Sequence, residues 1–385
     1  MSVEARIAAW QPEIAGWRQA LHRRPETLFD THETAAFVAE KLRAFGCDEV
    51  VEGIGRTGVV GLIRGHADGR CVGLRADMDA LPITETTGAA YASEIPGKMH
   101  ACGHDGHTAM LLGAARYLAE ARDFAGRVAV IFQPAEEGGG GGLEMVRDGM
   151  MERFGIEEVY GMHNWPGLER GAFAIRPGAF FAATDIFEID VIGQGGHAAK
   201  PHETVDPVVV AAQIVTGLQS IAARAVDPVH QVVVSVTGIE SASGAFNVIP
   251  SRVHLKGTVR SLSPQVRDLA ESRLAAIAGG IAAAHSARAD TRYERNYPVM
   301  ANHAAETRHA AEAARAVAGA CAEAELVMGG EDFAYMLEAR PGAYILVGNG
   351  PTAPLHAPDY DFDDAVIPAG VSWWIRIAQS RLAAD

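Results

Sequence analysis

The chain lacks the features that mark several protein classes. Only four cysteines occur in 385 residues, and Cys47, Cys71, Cys102 and Cys321 are too widely spaced to form a disulfide framework. That scarcity fits a reducing compartment. No run of about 18 apolar residues is present, so no membrane-spanning helix is expected. Met1 to Trp10 shows no basic segment followed by an apolar one, so no secretory leader is expected either. Positive charge is outnumbered: 33 lysines and arginines face 48 acidic residues, a net charge of −15. This excess argues against nucleic acid and anionic membranes as partners. Internal repeats and low-complexity linkers are missing as well. The expectation is a cytoplasmic globular protein. Its hydrophobic fraction of 48% can fill a sizeable core, and its length suggests roughly two to three domains.

The pattern that remains is α/β. Ile7, Trp10, Ile14, Trp17 and Leu21 predict an opening amphipathic helix. Asp30 and Glu33 resemble a capping box, and Gly46 a stop, for a second helix through Phe45. Val59–Ile63 and Cys71–Leu74 predict strands, and the second runs into Asp77 and Asp79. A helix is predicted over Thr108–Arg122, then a buried parallel strand over Val128–Phe132 that ends near Glu136 and Glu137. Val159 and Tyr160 lead to His163. Three times a strand delivers metal-type residues at its carboxyl end, where α/β sheets place their sites. From about Asp185 the spacing changes to a period of two, and the order becomes β-α-β-β-α-β. Residues 184–296 therefore read as an inserted domain within a discontinuous first domain, 1–183 and 297–385.

The richest stretch is His100-Ala101-Cys102-Gly103-His104-Asp105-Gly106-His107. Imidazole, thiolate and carboxylate are the donors that suit zinc, and in part manganese or cobalt. The strand ends and loops together offer Asp77, Asp79, Cys102, His104, Glu136, Glu137, His163 and His356. That exceeds what one tetrahedral ion uses, which favours two ions about 3.5–4 Å apart activating a water. The neighbours Glu136 and Glu137 diverge at a strand end, so one can ligate while the other faces that water.

These motifs resemble the M20 metallopeptidase and amidohydrolase family, on its aminoacylase, hippurate hydrolase and auxin-conjugate hydrolase branch. The matching stretches run in order along nearly the whole chain: His22-x-x-Pro25-Glu26, Arg75 to Pro82, His100 to His107, Gln133 to Gly138, Gly161 to Asn164, Gly195 to His202, Asn247 to Pro250, Gly329 to Phe333 and Leu355 to Asp359. The resemblance implies a zinc-peptidase-like catalytic domain with a mixed sheet flanked by helices, and a ferredoxin-like inserted domain for dimerisation and closure. It implies Cys102, His104, Glu137, His163 and His356 as metal ligands, Glu136 as general base and Asp79 as support for the metal site. Asp77 stands where the wider family has a metal-binding histidine. His197 is implied to stabilise the oxyanion, often from the partner subunit. Asn247 and Arg260 are candidates to bind the substrate carbonyl or carboxylate, and Gly330 either offers a backbone N–H or simply turns the chain. The expected activity is hydrolysis of N-acyl amino acids with two divalent ions, zinc or manganese, with cobalt or nickel as further candidates. A dipeptidase or carboxypeptidase of the same fold, and a non-catalytic metal-binding protein, are the alternatives.

Overall fold

Helical spacing at the start of the chain produces α1 (Val3–Arg23) and α2 (His32–Ala44) in the computed structural model, which describes residues 3–383. Ile7, Ile14, Trp17 and Leu21 bury one face of α1. The N-terminus of α2 corrects the expected capping box. Thr31, not Asp30, is the N-cap residue and makes no side-chain cap. Instead the Glu26 carboxylate accepts the N–H groups of Glu33 and Thr34 at 3.1 and 2.8 Å. A carboxylate there satisfies orphan donors and favours the positive end of the helix dipole. Gly46 follows the helix at φ +81°, a left-handed turn that glycine adopts without strain.

The chain divides into two compact units. The first comprises Met1–Gly178, Ala301–Glu325 and Asp332–Asp385, and the second Ala179–Met300 with Leu326–Glu331. An eight-stranded mixed sheet organises the first unit. Its strands β1 (Glu49–Ile54), β2 (Gly58–Arg64), β3 (Ala67–Asp77), β4 (Ala125–Gln133), β5 (Glu158–Pro166) and β6 (Phe173–Ile175) are joined by Ala322–Glu323 and Gly342–Gly350. The order is β1-β2-β4-β3-β5, then Gly342–Gly350, β6 and Ala322–Glu323. The four central strands, β4, β3, β5 and Gly342–Gly350, are mutually parallel. Their carboxyl ends therefore share one edge: Asp77 is level with Gln133, and His163 with Leu346.

The helix α3 (His104–Ala121) starts four residues before the predicted Thr108. Its first turn thus holds His104 and His107, and Gly103 caps it at φ +86°. The buried residues of α1, α3 and the last helix, Ile367–Arg381, join one apolar cluster that includes Trp373 and Trp374.

The second unit has a four-stranded antiparallel sheet. Its strands are Ala183–Ile192, Val232–Ser241, Arg252–Ser261 and Arg288–Arg295, with Pro207–Leu218 and Pro264–Ala284 as helices between them. In space, the two strands centred on Phe187 and Leu255 lie inside and the other two form the edges. Phe187, Ile189 and Val191 point to the core while Ile186 and Glu188 are exposed, as the alternation predicts. One helical segment of this unit stands out by its apolar composition. Pro207–Ala225 is 19 residues long with a mean hydropathy of 1.4, long and apolar enough by composition to span a bilayer. Val210, Ala211, Ile214, Leu218 and Ile221 of this segment pack into the core of their own unit.

Candidate metal centre

The sheet edge gathers the predicted ligands. Cys102, His104 and His163 form one group whose donor atoms lie within 4.8 Å of one another, and Cys102, Glu137 and His356 form a second. Cys102 belongs to both. His104, Glu136 and Glu137 make a third overlapping group. All five predicted ligands, with Glu136 and Asp79, are thereby brought to one place in the first unit.

Hydrogen bonding decides which imidazole nitrogens remain available. Nδ1 of His104 donates to the Asp79 carbonyl at 2.8 Å, and Nδ1 of His163 to the Asn164 carbonyl at 2.6 Å. A ring whose Nδ1 proton is held by a carbonyl presents a bare Nε2, the usual arrangement behind a ligating histidine. Nε2 of His104 is buried without a hydrogen-bond partner. Nε2 of His163 lies 3.4 Å from the Cys102 sulfur, and Nε2 of His356 3.3 Å from Glu137 Oε1. The main-chain N–H of His356 donates to the Ala101 carbonyl at 2.8 Å, which ties its loop to the Cys102 turn.

His107 behaves differently. Its Nε2 accepts the Asn164 main-chain N–H at 2.9 Å, and its Nδ1 donates to Asp77 at 2.6 Å. The other Asp77 oxygen accepts from Arg75 at 2.7 Å. Asp77, His104 and His107 are close enough to hold an ion, but two of the three already spend their donor atoms on one another. Asp77 is thus engaged in support of the fold. Arg75 continues to Asp332 at 3.0 Å, and Asp332 also accepts from Gln133 at 2.7 Å and from the Gly142 N–H at 2.8 Å.

Asp79 holds the Glu136–Glu137 turn. Its two carboxylate oxygens accept the main-chain N–H groups of Glu136 and Glu137 at 2.9 and 3.1 Å. Ala135, just before them, sits at φ +54°, and His356 at φ +65°. Non-glycine residues rarely occupy that region, at a cost of about 1–2 kcal/mol each, and such strain gathers at functional sites.

The electrostatics favour a cation. Burial opposes the His104 imidazolium, but Asp77, Glu137 and Asp79 outweigh it and push the ring up to about 10, so a metal ion would take the place of a proton on Nε2. Burial also raises Glu137, yet His356 and His104 hold it below the usual carboxylate range. His163 is pushed well down by burial and by its histidine neighbours, which keeps it neutral as a ligand must be. Burial and the surrounding carboxylates raise the Cys102 thiol. Sulfur, imidazole and carboxylate donors in two groups, with a bare buried Nε2 among them, fit divalent metal ions.

His197, Asn247, Arg260 and Gly330 all belong to the second unit. His197 is exposed and pairs with Val248 in a short ladder, and the Ala198 N–H donates to the Asn247 carbonyl at 3.0 Å. Nδ1 of His197 accepts the Ala199 N–H at 3.1 Å, so the neutral ring carries its proton on Nε2. Arg260 is half-buried and spends Nη1 on Thr258 and on the Val259 carbonyl. Gly330 approaches Thr184 so closely that a Cβ would fall 2.3 Å from its methyl group.

The sequence reading missed His107, Asn164 and Asp332 as members of this network. Asn164 and Asp332 lie inside motifs noted for their neighbours, and that is the signal that could have found them.

Residues 73–380 match the sequence model of peptidase family M20/M25/M40. Hippurate hydrolase of Campylobacter jejuni is 39% identical over 385 residues, covering 99% of this chain and 100% of that protein. Thermostable carboxypeptidase 2 of Saccharolobus solfataricus is also 39% identical, over 372 residues and 93% of each chain. The crystal structure of a dinuclear metal-binding peptidase of the M20 family from Bacillus subtilis superposes with a TM-score of 0.86 at 33% identity, over 97% of this chain and 99% of that one. The chain therefore belongs to peptidase family M20/M25/M40.

Proposed function

We propose that this family member is a metal-dependent amidohydrolase that cleaves the amide bond of N-acyl amino acids. The observation that carries the reading is the pair of donor groups sharing Cys102, with Glu136 fixed beside them by the Asp79 carboxylate. Cys102, His104 and His163 would hold one ion, and Cys102, Glu137 and His356 a second. Such ions supply Lewis acidity toward the amide carbonyl and bring the pKa of water toward about 7. Glu136 takes the proton of the attacking water and returns it to the leaving nitrogen, a role typically worth about 10²–10⁴-fold. Asp79 fixes the Glu136 main chain and, through its carbonyl, the His104 ring. His197 offers an Nε2–H donor for the oxyanion, by family resemblance from the partner subunit. Asn247, Arg260 and Gly330 are assigned to the substrate on the same resemblance.

The second unit, read as a ferredoxin-like closing and dimerisation domain, has two free sheet edges, Val232–Ser241 and Arg288–Arg295. Such edges invite pairing with another chain, which supports a homodimer. A single species of monomer mass in light scattering would remove it. Zinc or manganese is the assigned metal, with cobalt or nickel as substitutes, and the cytoplasm the assigned compartment.

A carboxypeptidase or dipeptidase is the second reading; a relative named a carboxypeptidase, at the same 39% identity as the hippurate hydrolase, favours the first of these. The test is hydrolysis of hippurate, N-acetyl amino acids and dipeptides side by side by metal-loaded protein. Preference for N-acyl amino acids is expected. Preference for dipeptides would replace the first reading with the second, and an inert loaded protein would leave only metal binding.

A further inference from the structure

One buried side chain sits where the ligand-bearing segments meet. Asn164 follows His163 in β5 and is completely inaccessible to solvent. It uses all four of its polar atoms. Its main-chain carbonyl accepts from His163 Nδ1 at 2.6 Å, and its main-chain N–H donates to His107 Nε2 at 2.9 Å. Its side-chain NH₂ donates to the Cys102 carbonyl at 2.7 Å and lies 3.0 Å from His107 Nε2. Its side-chain oxygen accepts from the Tyr360 hydroxyl at 2.6 Å. A carbonyl can only accept, so the NH₂ must face Cys102, and the oxygen is left for Tyr360.

These bonds join three ligand-bearing segments. Cys102 is a ligand itself, His107 lies one turn from His104 on α3, and His163 precedes Asn164. Tyr360 belongs to the loop of His356, and its N–H bonds the Ala357 carbonyl at 3.1 Å. A second observation points to the same place. Gly103, between Cys102 and His104, stands at φ +86°, and a Cβ there would fall 2.3 Å from Asn164 Nδ2 and 2.5 Å from the Tyr360 hydroxyl. The glycine is required because the Asn164 amide fills that space. From the other side, the chain Asp332–Arg75–Asp77–His107 ends on Asn164, with every member buried.

We propose that Asn164 is a positioning residue that sets the spacing of the ligand segments of Cys102–His104, His163 and His356, so that removing its amide loosens metal binding more than it loosens the fold. The proposal rests on the two-ion reading above. Metal-stripped wild type, Asn164→Ser and Tyr360→Phe are titrated with Zn²⁺ against a competing chelator, and with Co²⁺ while the thiolate-to-cobalt absorption band is recorded. Melting of the stripped proteins is followed in parallel. Asn164→Ser is expected to bind Zn²⁺ roughly 10–100-fold more weakly, as for other residues that orient metal ligands, with an altered cobalt band. Tyr360→Phe removes one tie and keeps the ring, so a smaller loss of the same sign is expected. It carries the decision if Asn164→Ser does not fold. A folded variant that melts lower but keeps wild-type Zn²⁺ affinity and an unchanged band would overturn the proposal. Wild type that takes up no Co²⁺ would overturn the two-ion reading, and this proposal with it.

Discussion

The two units of this chain bury different kinds of residue. The interior of the first contains Arg75, Asp77, His104, His107, Asn164 and Asp332, all inaccessible to solvent. The second buries Phe187, Ile189, Val191, Val253, Leu255 and Val259 and keeps most of its charge outside. Its buried ion pair joins Asp185 to Arg267 at 3.0 Å, with Tyr293 donating to Asp185 at 2.7 Å. Charges taken out of water cost several kcal/mol each unless they are paired and hydrogen-bonded. A chain that only needed to fold would follow the second pattern. The first unit instead carries a connected set of charged groups under one sheet edge, and that set orients donors. The contrast teaches that the polar interior of the first unit is connected around the converging donor groups, whereas the polar pair of the second ties one strand to one helix of its own unit.

The predictions test this division. The largest effect is expected at Glu136. Glu136→Ala should reduce turnover by about 10²–10⁴-fold or more while bound metal, read by elemental analysis, stays at the wild-type level. Near-wild-type turnover in a metal-replete variant would remove the general-base role. Next come the two donor groups. Cys102→Ala should empty both, because the thiol belongs to each, whereas His356→Ala should cost one ion. Equal metal content in the two variants would mean that Cys102 is not shared.

The second unit should respond in stability and not in metal content. Asp185→Ala leaves Arg267 buried without its carboxylate, a change that costs about 3–5 kcal/mol. Thermal melting should show that loss, while Zn²⁺ affinity at 25 °C in the folded protein stays within about twofold. A parallel loss of affinity would erase the distinction between the units.

The smallest effect concerns pH. Burial opposes the charged form of His22, but Asp105 at 2.9 Å outweighs it and pushes the ring up to about 9. A histidine raised in the folded state adds stability in full below its unfolded value near 6.5, and that stability is lost as pH rises through about 9. The metal-stripped wild type should lose up to about 3 kcal/mol over that window. His22→Gln should show a flatter profile. Identical slopes in the two proteins would place the pH dependence elsewhere.

Much of the first unit was legible because its elements announce themselves. The apolar run Val128–Phe132 could only be a buried strand, and carboxylates at the ends of successive strands pointed to one edge. That Cys102, His104, Glu136, Glu137, His163 and His356 converge was likewise readable, since thiol, imidazole and paired carboxylates at strand ends have few other uses. What sequence alone could not show was how the hydrogen bonds divide these groups. Asp77 and His107 are as metal-like in composition as His104. Only the positions of Arg75 and Asn164, brought together by the parallel strands, show that both are already engaged. The cap of α2 was missed for a nearer reason: Glu26 reaches the helix from upstream of the expected Asp30–Glu33 motif.

The central claim is that donors from distant segments converge to hold a pair of divalent ions that the hydrolysis requires. It is tested most directly by stripping the protein with chelator and returning Zn²⁺ or Mn²⁺ stepwise, reading hippurate hydrolysis and bound metal together. The account predicts no turnover in the stripped protein and full turnover as bound metal reaches two per chain. Undiminished turnover in protein shown to be free of metal would contradict it.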